Sequence, residues 1–366
     1  MPDNINVDFV GPNGQARGDV ASYLLSQGKM EPGSMRPYIG EDGRAYITIY
    51  KSGDPKKLSN YQAIPVGNAT LRRDEWKQLD EAVLGISEIR LGGVQDLIDN
   101  NLVFNLGNAM GTTVLEWHDI SDALTADLTM DGVTRAKGDR PEYGTNYLPI
   151  PIIHSDYEIN ARALEASRKL GNPLDTTLAE RAARKVNEKL ETMLFTNTSY
   201  TFGGGSIKSY INHGDRNQVT MAKHWDDMED STLESIGSKI IDDAIGMKQA
   251  SIDDYHYGPW MLYIPTAYET LLDKDYDKTT PGTTIRERIL KIAGIKGIKI
   301  VDKLPANNVL LVQMTNDVVR LVRGMGIQNV EWQTEGKFIT KYKVMTIQVP
   351  QIRSDQAGHS GIVHLA

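Results

Sequence analysis

The most regular alternation of apolar and polar positions in the chain begins at residue 177. An apolar stripe recurs about every four residues, and charged side chains occupy the other face. The stripe consists of Leu178, Ala179, Ala182, Ala183, Val186, Leu190, Met193 and Leu194, and the charged face of Arg181, Arg184, Lys185, Glu188, Lys189 and Glu191. This period predicts a helix of roughly 20 residues, ~30 Å long, with one buried side. Thr177 and Glu180 have the spacing of a capping box, and Asn172-Pro173 offers an earlier start.

The segment before this helix has the pattern of a long flap. Residues Thr113–Asp119 have strand character, and the apolar run Leu148–Ile153 contains two prolines, which favour an extended edge segment over a central strand. Between them lies a polar, glycine-containing stretch, residues 122–146. A strand leaving, a charged tip and an extended segment returning predict a two-stranded flap, which needs a partner surface to be stable.

Residues 1–70 are rich in Gly, Pro, Asn and Asp, and predict an extended arm with one helix, Asp19–Gln27, and one strand, Ala45–Tyr50. Because an arm with so few apolar residues cannot offset its own ordering entropy, we expect it to lie on another surface; a floppy tail is the alternative. From Arg72 to Ile98, helical periodicity returns in two pieces, with breaks at Gly85 and at Gly92-Gly93.

The second half of the chain begins with an acidic stretch and then alternates strands with helices. The acidic stretch predicts one helix, with an apolar stripe of Leu233, Ile236, Ile240, Ile241 and Ile245. The alternation that follows predicts an α/β unit with a small mixed sheet. Its predicted strands are Trp260–Ile264, Ile298–Val301, Val309–Met314 and Val318–Val322, and its helices are Thr266–Leu272 and Thr284–Ala293. A long strand, Phe338–Val349, and a short one, Gly361–Leu365, end the chain.

Composition narrows the class of protein. The chain has 366 residues, enough for about two domains, and 48 acidic against 40 basic residues give a net charge of −8. This balance argues against a protein whose task is to grip a phosphate backbone. The absence of cysteine excludes disulfides, thiolate metal sites and a cysteine nucleophile. We find neither a signal-peptide pattern nor an apolar run of 18 residues, so we expect no membrane association.

No motif in the sequence predicts catalysis. The glycine run Gly203–Gly205, followed by Lys208, lacks the spacing of a phosphate-binding loop and is interpreted as a turn. The seven histidines form no metal-binding pair, and Gly358–Gly361 lacks the register of a nucleophile elbow around Ser360. We therefore predict no catalytic, cofactor-binding or metal site. An α/β enzyme of unknown activity remains an alternative.

The order of these elements, together with one passage, carries a resemblance. The passage runs from Leu148–Ile159 through Asn172–Asp175 into Ala182–Lys185 and Glu191–Phe195. It resembles the major capsid proteins of tailed bacteriophages, whose Hong Kong 97-type fold is related to that of encapsulins. The resemblance implies an α+β fold with five parts. These are an N-terminal arm, 1–70; a helical segment, 71–110; an E-loop, 111–157; a P-domain with the long spine helix, 158–225 and 338–366; and an A-domain, 226–337.

The resemblance further implies a major capsid protein that assembles as hexamers and pentamers into an icosahedral phage head around double-stranded DNA. It would occupy the virion, and the host cytoplasm during assembly. Scaffolding, portal and decoration proteins are the further partners expected, and an encapsulin-type nanocompartment is the alternative. The mixed charges of the E-loop tip predict contacts between subunits rather than with nucleic acid: Arg135, Lys137, Asp139, Arg140 and Glu142. Since no asparagine follows Asn329, we expect no isopeptide crosslink from Lys137.

Overall fold

A computed structural model gives the three-dimensional structure of the chain. It describes residues 38–50, 61–65, 71–90, 92–107, 110–120, 130, 143–170, 176–227, 236–276, 282–333, 338–355 and 357–366. The predicted helix Asp19–Gln27 and all five predicted residues of the E-loop tip lie outside these ranges.

Helices and strands of the described residues occur mostly in separate runs along the chain. The α-helices are α1 (Arg73–Arg90), α2 (Gly92–Asp99), α3 (Ala161–Leu170), α4 (Thr177–Phe195), α5 (Ile236–Asp253), α6 (Glu269–Leu272) and α7 (Ile285–Leu290). The strands of the first half are β1 (Tyr38–Ile39), β2 (Ala45–Tyr50), β3 (Tyr61–Pro65), β4 (Leu71–Arg72), β5 (Val103–Asn105), β6 (Val114–Ile120), β7 (Tyr143–Pro149) and β8 (Ile153–Asn160). Those of the second half are β9 (Tyr200–Phe202), β10 (Gly205–Ile207), β11 (Asn217–Val219), β12 (Trp260–Pro265), β13 (Ile295–Val301), β14 (Val309–Gln313), β15 (Val319–Gln333), β16 (Ile339–Ile352) and β17 (Ile362–Leu365). This composition confirms the α+β class.

The first large sheet has four strands in the order β5-β15-β16-β8, and α4 packs on β8 and β16. Its centre is the long hairpin β15/β16, paired antiparallel from Val319↔Ile352 to Gln333↔Thr340. The predicted strand Val318–Val322 is therefore only the start of a 15-residue strand. Strand β16 packs against α4, and β15 packs against α1 and α2. The contact of α4 with β16 joins chain segments more than 140 residues apart.

Helix α4 confirms the predicted length and most of the predicted stripe, with three corrections. It begins at Thr177, but its N-cap residue is Thr176, which makes no side-chain capping bond, so the predicted capping box is wrong. Leu178 lies in the first turn of the helix and is 44% exposed, so the buried stripe begins at Ala179. Glu191, assigned to the polar face by the pattern, is buried with 8% exposure, because α2 covers that side of the helix.

The second large sheet is mixed, as predicted, with the order β11-β17-β14-β12-β13. Strand β12 pairs parallel with β13 and antiparallel with β14. Apolar side chains cover both faces of this sheet. Tyr263 and Leu310 point to the core shared with α4. Leu262 and Leu311 point to a second core, with α5 and α7. Burial on both faces explains why β12 and β14 are continuous apolar runs without alternation.

The last strands of the chain divide between the two sheets. Strand β17 pairs with β14 and belongs to the second sheet, whereas β15 and β16 pair with each other in the first sheet. In α5, Ile240 and Ile241 are buried as predicted, but Ile245 is 48% exposed and Ala244 and Met247 continue the stripe instead.

The smaller elements of the first half largely match those predicted from the sequence. The predicted strand Ala45–Tyr50 is confirmed as β2 of a four-stranded sheet with the order β3-β2-β1-β4. Two helices separated near Gly92 are also confirmed, although Gly85 lies inside α1 and does not break it. The salt bridge from Arg168 of α3 to Glu75 of α1, with both side chains at most 15% exposed, fixes these two helices to each other.

The C-terminal end of α4 is enclosed on every side. Phe195 is fully buried, and its ring lies 5.5 Å from that of Tyr210 and 5.0 Å from that of Tyr263 in edge-to-face contacts. On its other side lies Gly93 of α2, where an added Cβ would be 2.2 Å from Phe195 Cε2. Helix α2 can therefore approach α4 only with glycine at this position.

We expect Gly93→Ala to lower the free energy of unfolding by about 1 to 3 kcal/mol, since the new methyl group displaces an aromatic ring that has no free volume around it. Gly246→Ala is the matched control, because nothing lies within 4 Å of a Cβ there and the site is exposed in α5. That control should be neutral or up to about 1 kcal/mol more stable. Denaturant unfolding of both variants measures this, and equal stabilities would contradict the close contact.

Candidate subunit interface

The predicted flap is confirmed as a two-stranded ribbon. Strands β6 and β7 pair antiparallel from Val114↔Pro149 to Ile120↔Tyr143 and form a sheet of their own. Because a two-stranded ribbon is marginal in water, its base must be held by other elements. Leu148 is buried at this base, and Leu115 and Trp117 pack partly against the main core.

A short hairpin holds the base of the flap. Strands β9 and β10 join through Gly203 and Gly204, which both have positive φ values, 57° and 83°. A Cβ on Gly203 would be 2.6 Å from Val114 Cγ2, and one on Gly205 would be 2.2 Å from the carbonyl oxygen of Tyr147. The glycine run is thus a hairpin turn pressed against both flap strands. The run of three glycines is the sequence signal for this contact, but only the fold reveals which surface it meets.

Three aromatic side chains are exposed where this hairpin meets the flap. Tyr147 of β7 is 41% exposed, and Tyr200 and Phe202 of β9 are 43% and 51% exposed. Tyr200 and Phe202 share one side of their strand, since side chains alternate with a period of two. We call these three residues the aromatic patch. A second apolar site lies at the end of the long hairpin, where Phe338 is 76% exposed and Ile339 is 40% exposed.

A buried acidic pair lies where α2, α4 and the second sheet meet. The carboxylate of Glu191 accepts the Gly93 backbone N–H at 2.8 Å, in the first turn of α2, where backbone N–H groups lack partners within the helix. The Asp96 carboxylate, 3% exposed, accepts the Tyr263 hydroxyl at 3.2 Å and lies 3.3 Å from Lys299 Nζ. These bonds tie α2 to α4 and to the second sheet.

Burial raises the pKa of both carboxyl groups. Desolvation raises the pKa of Glu191 to about 7, and nearby Asp96 adds to the rise, while the Gly93 N–H acts in the opposite direction. Desolvation also raises the pKa of Asp96, against the attraction of Lys299. Among the described residues, Glu191 Oε2 has no hydrogen-bond partner. The charged form of Glu191 is therefore poorly stabilised in the fold.

His359 and Ser360 lie in the segment between β16 and β17. Ser360 is fully buried, out of reach of a substrate, and His359 lies 3.3 Å from Asp355 and 4.0 Å from Asp254. Within the described ranges, no three His, Asp or Glu side chains are arranged to hold a metal ion. In the same part of the chain, no helix is both long and apolar enough to cross a membrane.

Several solved particle structures share this fold. The capsid of Myoviridae phage XM1 matches with a TM-score of 0.57 at 10% identity, over 75% of this chain and 92% of that one. A virus-like particle from Pyrococcus furiosus matches at 0.55 and 18% identity, over 79% and 98%. The capsid of a native GTA particle matches at 0.53 and 13% identity, over 75% and 90%. The chain therefore has the predicted Hong Kong 97-type capsid fold.

At the level of sequence, the chain matches one family. The sequence model of the family described as "Family of unknown function (DUF6260)" matches residues 66–365, and the chain belongs to that family. No curated protein matches it.

Ionisation of Glu191 should make the folded protein less stable as the pH rises. Its folded-state pKa of about 7 lies above the ordinary value of 4.5, so its stabilising effect is complete below pH 4.5 and is lost as the pH rises through about 7. The loss is about 3 kcal/mol. Glu191→Gln should therefore be more stable than the parent chain at pH 8, with a smaller difference at pH 5.

Thermal unfolding between pH 5 and pH 8 measures this difference between variant and parent. The difference is the useful quantity, because burial also lowers the pKa of His364 to about 4, which favours the fold as the pH rises. The same substitution at exposed Glu158 is the control for the loss of one carboxylate at the surface. A Glu191→Gln profile parallel to that of the parent would contradict a raised pKa.

Proposed function

We propose that this chain is the major shell protein of a phage head, which assembles as hexamers and pentamers into an icosahedral capsid around double-stranded DNA. The observation that carries the proposal is the fold match, which spans 90–98% of three chains that come from two capsids and a virus-like particle. It acts in the virion and assembles in the host cytoplasm. Scaffolding, portal and decoration proteins are the further partners proposed.

The surface of the subunit supports this proposal. Among the described strands, the flap β6/β7 pairs with no other, so its edges offer backbone donors and acceptors. The aromatic patch lies at its base, and Phe338 is exposed at the end of the long hairpin. Exposed aromatic groups next to an unpaired ribbon are typical of surfaces that a second subunit covers. Many such contacts per shell give cooperative stability although each is weak.

The sequence of the flap tip is rich in charged residues of both signs. Its five charged residues are proposed to form salt bridges to neighbouring subunits: Arg135, Lys137, Asp139, Arg140 and Glu142. No isopeptide crosslink from Lys137 is proposed, because the C-terminal part of the chain offers no asparagine beyond Asn329.

A protein nanocompartment of the encapsulin type is the second candidate function. It is favoured by the match to the Pyrococcus furiosus virus-like particle, which at 18% identity covers 79% of this chain. The two functions differ in what the shell encloses, which is a genome in one case and protein cargo in the other.

Expression of the chain alone, followed by negative-stain electron microscopy and sedimentation velocity, tests the proposal. We expect closed shells or capsomer-sized rings. Nuclease-protected DNA inside particles from a native source would favour a phage head, whereas enclosed protein would favour a nanocompartment. A monomer or dimer that persists with salt, crowding agents and a candidate scaffold would overturn both shell functions and favour the alternative of an enzyme.

The aromatic patch gives a more specific prediction. Tyr200→Ser with Phe202→Ser should raise the protein concentration needed for particle formation at least about tenfold, because burying even part of two aromatic groups contributes more than about 1.4 kcal/mol. Thr201→Ala, between them on the opposite side of β9, is the matched control. Light scattering against concentration measures assembly, and circular dichroism checks the fold. Unchanged assembly of a folded double variant would remove the patch from the interface.

A further inference from the structure

The polar face of helix α4 carries a line of positive charge. Arg181, Arg184, Lys185 and Lys189 are all exposed on it, and at 1.5 Å per residue they span about 12 Å. Residues three and four apart on a helix are neighbours, so these cations lie on one continuous surface. We call these four residues the basic stripe.

The acidic residue within this face does not neutralise the basic stripe. Glu188 is half-buried and lies 2.9 Å from Lys185 Nζ and 4.0 Å from Lys303 Nζ, so it already serves two cations. Lys185 holds the pKa of Glu188 below its ordinary value, which keeps it charged. Lys303, 42% exposed, adds positive charge beside the helix. Arg184 also lowers the pKa of Glu188 through its charge but makes no direct ion pair with it, and Arg181 and Lys189 form no ion pair with any other described residue.

The basic stripe contrasts with the rest of the molecule. The whole chain has a net charge of −8, and the acidic residues Asp242 and Asp253 lie exposed on α5, which packs on the other face of the second sheet. The basic stripe thus lies on a different surface from these two acids, while the exposed lysines Lys274, Lys291 and Lys296 lie elsewhere. An overall negative charge argues against a general nucleic-acid-binding protein, but it does not prevent one local surface from attracting phosphates.

We infer that the basic stripe of α4 is the surface through which the shell subunit contacts the phosphate backbone of the nucleic acid that it encloses. This inference rests on the proposed function and identifies one surface for that contact. Guanidinium and ammonium groups spaced along a line match a line of phosphates. All four side chains are cations suited to phosphate oxygens, so we expect a contact that is independent of base sequence and sensitive to salt.

The test compares two triple variants with the same change in charge. Arg181→Gln, Arg184→Gln and Lys189→Gln remove three cations of the basic stripe and leave the Lys185–Glu188 pair intact. The control, Lys274→Gln, Lys291→Gln and Lys296→Gln, removes three exposed lysines near the second sheet. Fluorescence anisotropy with a 30-base-pair DNA duplex gives the affinity of unassembled protein at a series of salt concentrations.

Three lost phosphate contacts should reduce the slope of log affinity against log salt by about 3. The control should keep the slope of the parent chain. An unchanged slope in the basic-stripe variant overturns the inference, and so does equally tight binding of polyglutamate in place of DNA, which would identify an acidic protein as the partner.

Particles give a second measurement that separates this inference from the proposed function. Shells of the basic-stripe variant should form normally but should retain at least a few-fold less nuclease-protected nucleic acid than shells of the control. Normal shells with a normal content would overturn the inference and leave the proposed function intact. If the parent chain forms no particles, the proposed function itself is overturned, independently of the affinity measured for the DNA duplex.

Discussion

The enclosure of the C-terminal end of α4 is the contact on which the rest of the structure depends. Phe195 fills the space between α2, the segment after β10 and strand β12, and it leaves no room for a side chain at Gly93. This ring is a central contact of the apolar core that the first sheet, its helix and the second sheet share. The buried pair Glu191 and Asp96 lies around the same point and adds directional bonds to a contact that is otherwise apolar. Packing of this density transmits small changes, so ionisation at this junction affects both sheets.

A second close contact sets the position of the flap. The hairpin β9/β10 follows α4 directly, and its glycines let it press on both strands of the ribbon. The flap therefore extends from a base that is anchored to the end of α4. In the proposed shell subunit, the projecting ribbon would contact a neighbour while its base stays fixed. The exposed Tyr147, Tyr200 and Phe202 lie where the fixed and projecting parts meet.

The cations of α4 and the aromatic groups of the flap base belong to different surface elements. Aromatic side chains are exposed at the flap base and at Phe338, whereas α4 exposes mainly cations and α5 exposes both acids and Ile245. Weak contacts between many subunits and a salt-dependent contact with the contents would be carried by different surfaces. Either one could then change in evolution without loss of the other.

Local pattern was enough to predict most elements, and long-range packing decided the rest. The period of α4, the strand Ala45–Tyr50 and the flap were predictable because neighbouring residues fix helical or extended geometry. The burial of Glu191, the glycine contacts of the β9/β10 hairpin and the place of β17 in the second sheet were not, because each depends on a partner distant along the chain. The sequence by itself thus determined which segments are helix, strand or flap and that the chain resembles a capsid protein. Only the tertiary structure decided which polar groups lose water and which surfaces stay open, since solvent exposure is a property of the packed molecule and not of a residue.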